Sequence, residues 1–309
     1  MVHGSIKRRD FLRTGAAAGL TTAFAPPAFA SGTRYDPAAK FDLTVSELEY
    51  RRTVKGRALL ARVYQPSGPG PLPTVLSLHG GAWNAKDRLA EDPFNRAIAA
   101  AGALVVAVDL TLAPEAPYPA CVQDASYALR WLKAKAKTWN GDASRIGVFG
   151  SSSGGHVAEL LALRPNDARY NAIAFNGAAS PDYVLMRSPI SNTFARFETA
   201  RANKVDAMIK NNTTFFVPWE TIHESNPQEI LERKEKVALK PFLIMQGALD
   251  SNMLPVYQTK FVETYRAAGG SCDYTIFEGC EHEWVAKPGP ETTRAHEMAK
   301  AFIARQMNA

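Results

Sequence analysis

Cysteine is scarce in these 309 residues: Cys121, Cys272 and Cys280 are all there is. That excludes a disulfide-framed fold, which needs cysteine in dense, even sets. Cys272 and Cys280 sit close in sequence, but Cys272 to Phe277 reads as a strand. An extended chain would carry the two sulfurs well beyond the ~6 Å Cα separation a disulfide spans. No structural disulfide is expected. Cysteine and histidine never gather at metal-ligand spacing, so no metal is expected. A basic run is also missing. The formal charge is +6, but half of that excess belongs to Lys7, Arg8, Arg9 and Arg13 against Asp10. The rest is spread along the chain, which gives nucleic-acid binding little support. No stretch reaches the ~20 apolar residues of a membrane span. Internal repeats and low-complexity segments are absent.

What is present is a core. Hydrophobic residues make up 46% of the chain and charged residues 21%, enough for a sizeable core, and 309 residues suit one large α/β domain or two small ones. The first thirty residues stand apart. Paired arginines, Arg8-Arg9, precede Phe11-Leu12, a weakly apolar stretch follows, and Ala28-Phe29-Ala30 forms an A-x-A cleavage site. The segment resembles a bacterial twin-arginine export signal. The mature protein is then expected to begin near Ser31, periplasmic or secreted and without stable membrane anchoring. Residues 31–309 are read as the working domain.

Apolar patterning orders that domain. Val45–Thr53 and Arg57–Tyr64 alternate like an antiparallel hairpin turning at Lys55-Gly56. Buried-strand runs follow at Thr74–Leu78, Ala103–Val108, Arg145–Gly150, Ala172–Phe175, Pro241–Gly247 and Asp273–Phe277. Helical periodicity appears at Phe94–Ala101, about Pro119 to Lys137, Gly155–Leu163, Pro255–Ala268 and Glu291–Gln306. Strands alternating with helices predict a doubly wound, mostly parallel central sheet. Between about residues 181 and 240 the rhythm breaks. The stretch is too long for a plain loop, so it is read as an inserted helical cap.

The chemistry centres on Gly150-Ser151-Ser152-Ser153-Gly154. A buried strand turning at once into a helix, with glycine two before and two after a serine, is the pattern of a nucleophile elbow. Only Ser152 has glycine on both sides at distance two. A hydroxyl needs a base to take its proton, and the base needs a carboxylate to hold its tautomer. Such groups gather at the carboxyl ends of strands. Two strand ends supply them: Asp250 after Pro241–Gly247, and His282 after Asp273–Phe277. Glu281 and Glu283 adjoin His282 too closely to be its carboxylate partner. His79, His156, His223 and His296 are weaker candidates for the base, and His156 is read as packing. Developing oxyanion charge needs backbone N–H donors. Gly80, Gly81 and Ser153 are the expected ones, the first two from His79-Gly80-Gly81-Ala82-Trp83.

Taken in order, H-G-G, Asp109-x-x-Leu112-Ala113-Pro114-Glu115, Asp124, G-x-S-x-G-G and the distal Asp250 and His282 resemble the hormone-sensitive-lipase-like esterases of the α/β-hydrolase superfamily. The resemblance covers roughly residues 70 to 305. It implies the α/β-hydrolase fold and cofactor-free hydrolysis of small-molecule carboxylic esters. Gly80-Gly81-Ala82 stands where such esterases carry a glycine triplet, and H-G-G-x-W is similar to the arylformamidase branch. Ser151 and Ser153 replace the usual Asp and Ala, and Leu110-Thr111 replace Tyr-Arg. Amide hydrolysis and a non-catalytic binding role on the same scaffold remain alternatives. Trp83 and the cap residues Phe215, Phe216 and Trp219 are the expected substrate-binding side chains. Phe215 and Phe216 are expected to point to opposite sides of an extended chain, at least one of them walling the acyl pocket.

Overall fold

A computed structural model describes Met1 and residues 35–308. The twin-arginine segment and its cleavage site lie outside the described residues. The chain opens with a hairpin, β1 (Leu43–Arg52) and β2 (Ala58–Pro66). The outer strand β1 alternates exposed with more buried positions, as an edge strand with one wet face should. Inside the sheet, β3 (Leu72–Leu78), β4 (Leu104–Val108), β6 (Tyr183–Arg187) and β7 (Phe242–Gly247) are buried at every residue. The same follows from covering both faces of parallel strands with helices.

With β5 (Gly141–Ser151) and β8 (Cys272–Phe277), the eight strands run in the order β1-β2-β4-β3-β5-β6-β7-β8. Both pairings of β2 are antiparallel, and the remaining pairings are parallel. Strand order reverses around β3: the chain goes outward to β4, then returns to β5 on the other side of β3. A crevice opens at the carboxyl ends of strands at such a switch point. The two loops facing it follow β3 and β5, the loops that hold His79-Gly80-Gly81 and Ser152.

Helices α1 (Asp92–Ala100) and α9 (Pro290–Asn308) bury Phe94, Ile98, Phe302 and Ile303 on one face of the sheet. On the other face lie α2 (Ala120–Lys135), α3 (Ser153–Leu163) and α8 (Pro255–Ala267). Between β6 and β7 come four further helices: α4 (Thr193–Ala202), α5 (Asp206–Phe215), α6 (Thr221–Glu224) and α7 (Pro227–Glu232). Their buried Phe197, Phe215, Ile222 and Ile230, with Phe216 just past the end of α5, share one apolar cluster with α2 and α3.

Two boundaries differ from the sequence reading. Ala172–Phe175 forms no strand. Its backbone is held by a side chain instead, for Arg130 donates to the carbonyls of Ile173 (2.9 Å) and Phe175 (2.6 Å). The sixth strand is Tyr183–Arg187, inside the stretch assigned to the insertion. The inserted helices therefore begin at Thr193 rather than near residue 181. Elsewhere the alternation of strand and helix is as the pattern predicted. All three cysteines are buried and free.

Candidate active site

Ser152 links β5 to α3 with φ 52° and ψ −117°, a strained conformation for a residue with a Cβ. The glycines make the turn possible. A Cβ on Gly150 would lie 2.5 Å from the carbonyl oxygen of Gly154, and one on Gly154 would lie 2.3 Å from that of Leu78. Neither gap admits a carbon atom. Sharp turning lifts the Ser152 hydroxyl off the end of the sheet, where His282 Nε2 meets its Oγ at 2.9 Å.

The imidazole of His282 is held from its far side. Its Nδ1 lies 2.8 Å from Asp250 Oδ2. Asp250 follows β7, and its side chain is buried. Oδ1 accepts the N–H groups of Asn252 (2.9 Å) and Met253 (2.8 Å), while Oδ2 also accepts from Gln246 Nε2 at 2.9 Å. Burial alone would push the Asp250 carboxyl up. The hydrogen bond and charge of His282, together with the Met253 N–H, outweigh it and hold the group below the usual carboxylate range. An ionised Asp250 takes the proton-bearing Nδ1 as its partner. That leaves Nε2 with a free lone pair toward the Ser152 hydroxyl, the tautomer a general base needs.

The neighbouring serines are otherwise engaged. Ser153 Oγ accepts the Trp83 backbone N–H at 3.2 Å. Ser151 Oγ takes a hydrogen bond from Arg187 Nη2. The same guanidinium donates through Nη1 to the His282 carbonyl and pairs with Glu91 (3.3 Å) and Glu283 (3.5 Å). Arg187 is buried at the end of β6 and joins the nucleophile turn to the histidine loop. Neither Arg187 nor Glu91 was singled out from sequence. An arginine closing the apolar run Tyr183-Val184-Leu185-Met186 was the available signal.

Gly80 packs directly on the turn, since a Cβ there would come 3.2 Å from Ser152 Cβ. Gly81 has φ +107°, and a Cβ on it would lie 2.0 Å from the Ala85 carbonyl oxygen. Ala82 (φ 52°) and Trp83 (φ 61°) continue the left-handed stretch. The loop is pinned by Trp83, whose Nε1 donates to His156 Nδ1 at 3.2 Å. His156 Nε2 in turn donates to the Ser225 carbonyl at 2.8 Å, between α6 and α7. Burial pushes this imidazole down to about 4, so it is neutral and structural, as the packing reading expected.

The aromatic candidates are packed rather than splayed. Trp83 stacks on Phe215 at 4.7 Å with rings 3° apart, and Phe216 meets Trp83 edge-on at 5.1 Å. The expectation that Phe215 and Phe216 point to opposite sides is corrected: α5 runs through Phe215, and both rings are buried against Trp83. Trp219 is half-buried and packs on Phe197 at 4.6 Å. Glu283 pairs with Lys86 at 3.0 Å, and His223 with Glu229 at 2.9 Å, so neither joins the serine. In the 109–115 segment, Asp109 accepts the N–H groups of Leu60 and Arg88, and Asp124 that of Thr111 at 2.6 Å. These carboxylates fix loops and do not reach the reacting atoms. Among the described residues, no group of three metal-ligating side chains is assembled.

Comparison with known proteins agrees with the fold. A family model described as alpha/beta hydrolase fold matches residues 75–286. Carboxylesterase NlhH of Mycobacterium tuberculosis is 45% identical over 97 residues, 31% of this chain and 30% of the relative. Esterase LipC of the same organism is 29% identical over 237 residues, 74% of this chain and 57% of the relative. These matches thus span less than two thirds of either relative's length. A hyperthermophilic esterase from the archaeon Pyrobaculum calidifontis superposes with TM-score 0.69 at 24% identity, over 86% of this chain and 87% of that one.

Proposed function

The chain belongs to the alpha/beta hydrolase fold family, and from that premise we propose that it is a serine carboxylesterase acting on esters of small or aromatic acyl groups. The observation that carries the reading is the line of contacts from Ser152 Oγ through His282 to Asp250, at 2.9 and 2.8 Å. Ser152 Oγ attacks the ester carbonyl as His282 Nε2 takes its proton. Asp250 stabilises the resulting imidazolium without taking the proton itself. The N–H groups of Gly80, Gly81 and Ser153 receive the oxyanion. Collapse of the tetrahedral intermediate expels the alcohol, which leaves with the proton from His282, and an acyl-enzyme remains. Water activated by the same histidine then releases the acid.

Two features support a small acyl group. Ser152 is only 4% exposed, and the buried Trp83, Phe215 and Phe216 cluster packs beside α3 just beyond it. Each methylene that finds room adds ~0.8 kcal/mol of burial, about fourfold in rate constant, until a wall stops it. A panel of p-nitrophenyl esters of increasing chain length, run beside N-formyl and aryl amides, tests the reading. kcat/KM should rise over the shortest acyl chains, then fall, with the amides slower. Ser152→Ala should lower ester turnover by roughly 10^4-fold or more and abolish labelling by an organophosphonate. Labelling that persists in Ser152→Ala, or an amide outpacing every ester, would overturn it.

A further inference from the structure

Two arginines lie buried beside the candidate active site, each 1% exposed. Arg187 has two carboxylate partners, Glu91 and Glu283. Arg196, on α4, has none among the described residues. Its Nε donates to Asn252 Oδ1 at 2.8 Å, the side chain's single hydrogen bond among the described residues, and Nη1 is buried without a partner. The guanidinium carbon lies 5.7 Å from the centre of the Trp83 ring. Burial pulls this guanidinium down to about 10, so it is charged at neutral pH.

That charge is under-compensated. A ring face contributes about 0.5–2 kcal/mol to a cation, whereas desolvating an ion costs several kcal/mol. Asp250 acts on Arg196 only through space, since both its oxygens are already occupied. Once His282 accepts a proton, Asp250 faces two cations. The position of Arg196 is equally specific. It touches Trp83 of the oxyanion loop and Asn252 of the Asp250 loop, the two loops that bracket Ser152.

Resting on the esterase reading above, we propose that Arg196 is an anion-recognition group of the substrate site and that the preferred esters carry a carboxylate. The planar fork of a guanidinium matches a carboxylate in two parallel hydrogen bonds. Burial away from water makes each of them count for more. An anionic substrate would also restore neutrality around Asp250 when His282 becomes charged.

Two pairs of substrates test this, with the charge on the acyl side in one and on the alcohol side in the other. The first is p-nitrophenyl hydrogen succinate against p-nitrophenyl 4-methylpentanoate, in which isopropyl replaces the carboxylate. The second is 4-carboxyphenyl butyrate against phenyl butyrate. The wild type should favour the charged member of one pair by at least tenfold in kcat/KM. Arg196→Gln should bring that ratio close to one, and Arg196→Lys should keep part of it. Ratios at or below one in both pairs overturn the inference and leave the esterase reading intact, as does a preference that survives Arg196→Gln. Calorimetric titration of Ser152→Ala, which removes the chemistry, separates the two ideas. Methyl hydrogen succinate or 4-carboxyphenyl butyrate should bind at least tenfold tighter than its uncharged counterpart. Equal binding in both pairs sinks the anion site whatever the turnover, and absence of turnover on every ester, charged and neutral, sinks the esterase reading.

Discussion

On one side of Ser152 the chain is tied down by charge, and on the other by neutral groups. Ser151 hands its hydroxyl to the Arg187 guanidinium, which also holds the His282 carbonyl, Glu91 and Glu283. Ser153 hands its hydroxyl to the Trp83 N–H, and Trp83 continues through His156 to Ser225. The difference follows from what each side must hold. A forked cation can bind a hydroxyl, a carbonyl and carboxylates at once, so it fixes the backbone of the histidine loop without touching the imidazole. The other side joins the Gly80-Gly81 loop to the inserted helices. A cation there would add to the uncompensated Arg196, and the neutral imidazole avoids that. Serine at both 151 and 153, rather than Asp and Ala, provides the hydroxyl each anchor uses.

Breaking the charged side should have the largest effect. Arg187→Met leaves Glu91 buried without its cation, and removing one member of a buried pair costs about 3–5 kcal/mol. Urea unfolding should show that loss, and a cost under ~1 kcal/mol would mean that the ionic anchor carries little. Acid should test the neutral side next. An unfolded histidine takes a proton near pH 6.5, whereas buried His156 does so only at about 4. The folded state is therefore fully favoured above pH 6.5, and about 3 kcal/mol of stability is lost as pH falls through that window. His156→Gln does not titrate and should flatten that part of the profile. An unchanged slope would assign it to another group. The smallest effect sharpens the contrast. A hydrogen bond to a charged group contributes ~1.5–3 kcal/mol and a neutral one ~0.5–1.5, so Ser151→Ala should cost more stability than Ser153→Ala. The reverse order in thermal unfolding would contradict the division into charged and neutral sides.

Much of the site was readable in the chain because its requirements are local. Gly150 and Gly154 flank Ser152 at fixed spacing, and a Cβ at either would strike backbone. Asp250 and His282 could be placed because each follows an apolar strand run whose carboxyl end must face the same crevice. The strand misplaced at Ala172–Phe175 shows the limit of such patterns. An apolar run can lie on the surface when a side chain such as Arg130 satisfies its carbonyls, and periodicity carries no record of that. The pairing of Phe215 with Phe216 failed similarly, because a helix end rather than an extended strand set their directions.

The sequence by itself determined the doubly wound sheet, the glycine-flanked turn that singles out Ser152 within a run of three serines, and the chain order of Ser152, Asp250 and His282, which the fold brings into contact. Backbone sterics and apolar periodicity act between residues close in the chain, so they are written there. Tertiary structure alone decided which arginine would be paired and which would not. Arg187 and Arg196 are nine residues apart and alike in sequence, yet one ends a strand beside Glu91 and Glu283 while the other lies under Trp83 with Asn252. Their difference is a matter of which distant groups the fold brings within a few ångströms. Desolvation turns that proximity into chemistry, because a buried charge is settled or unsettled by its nearest neighbours.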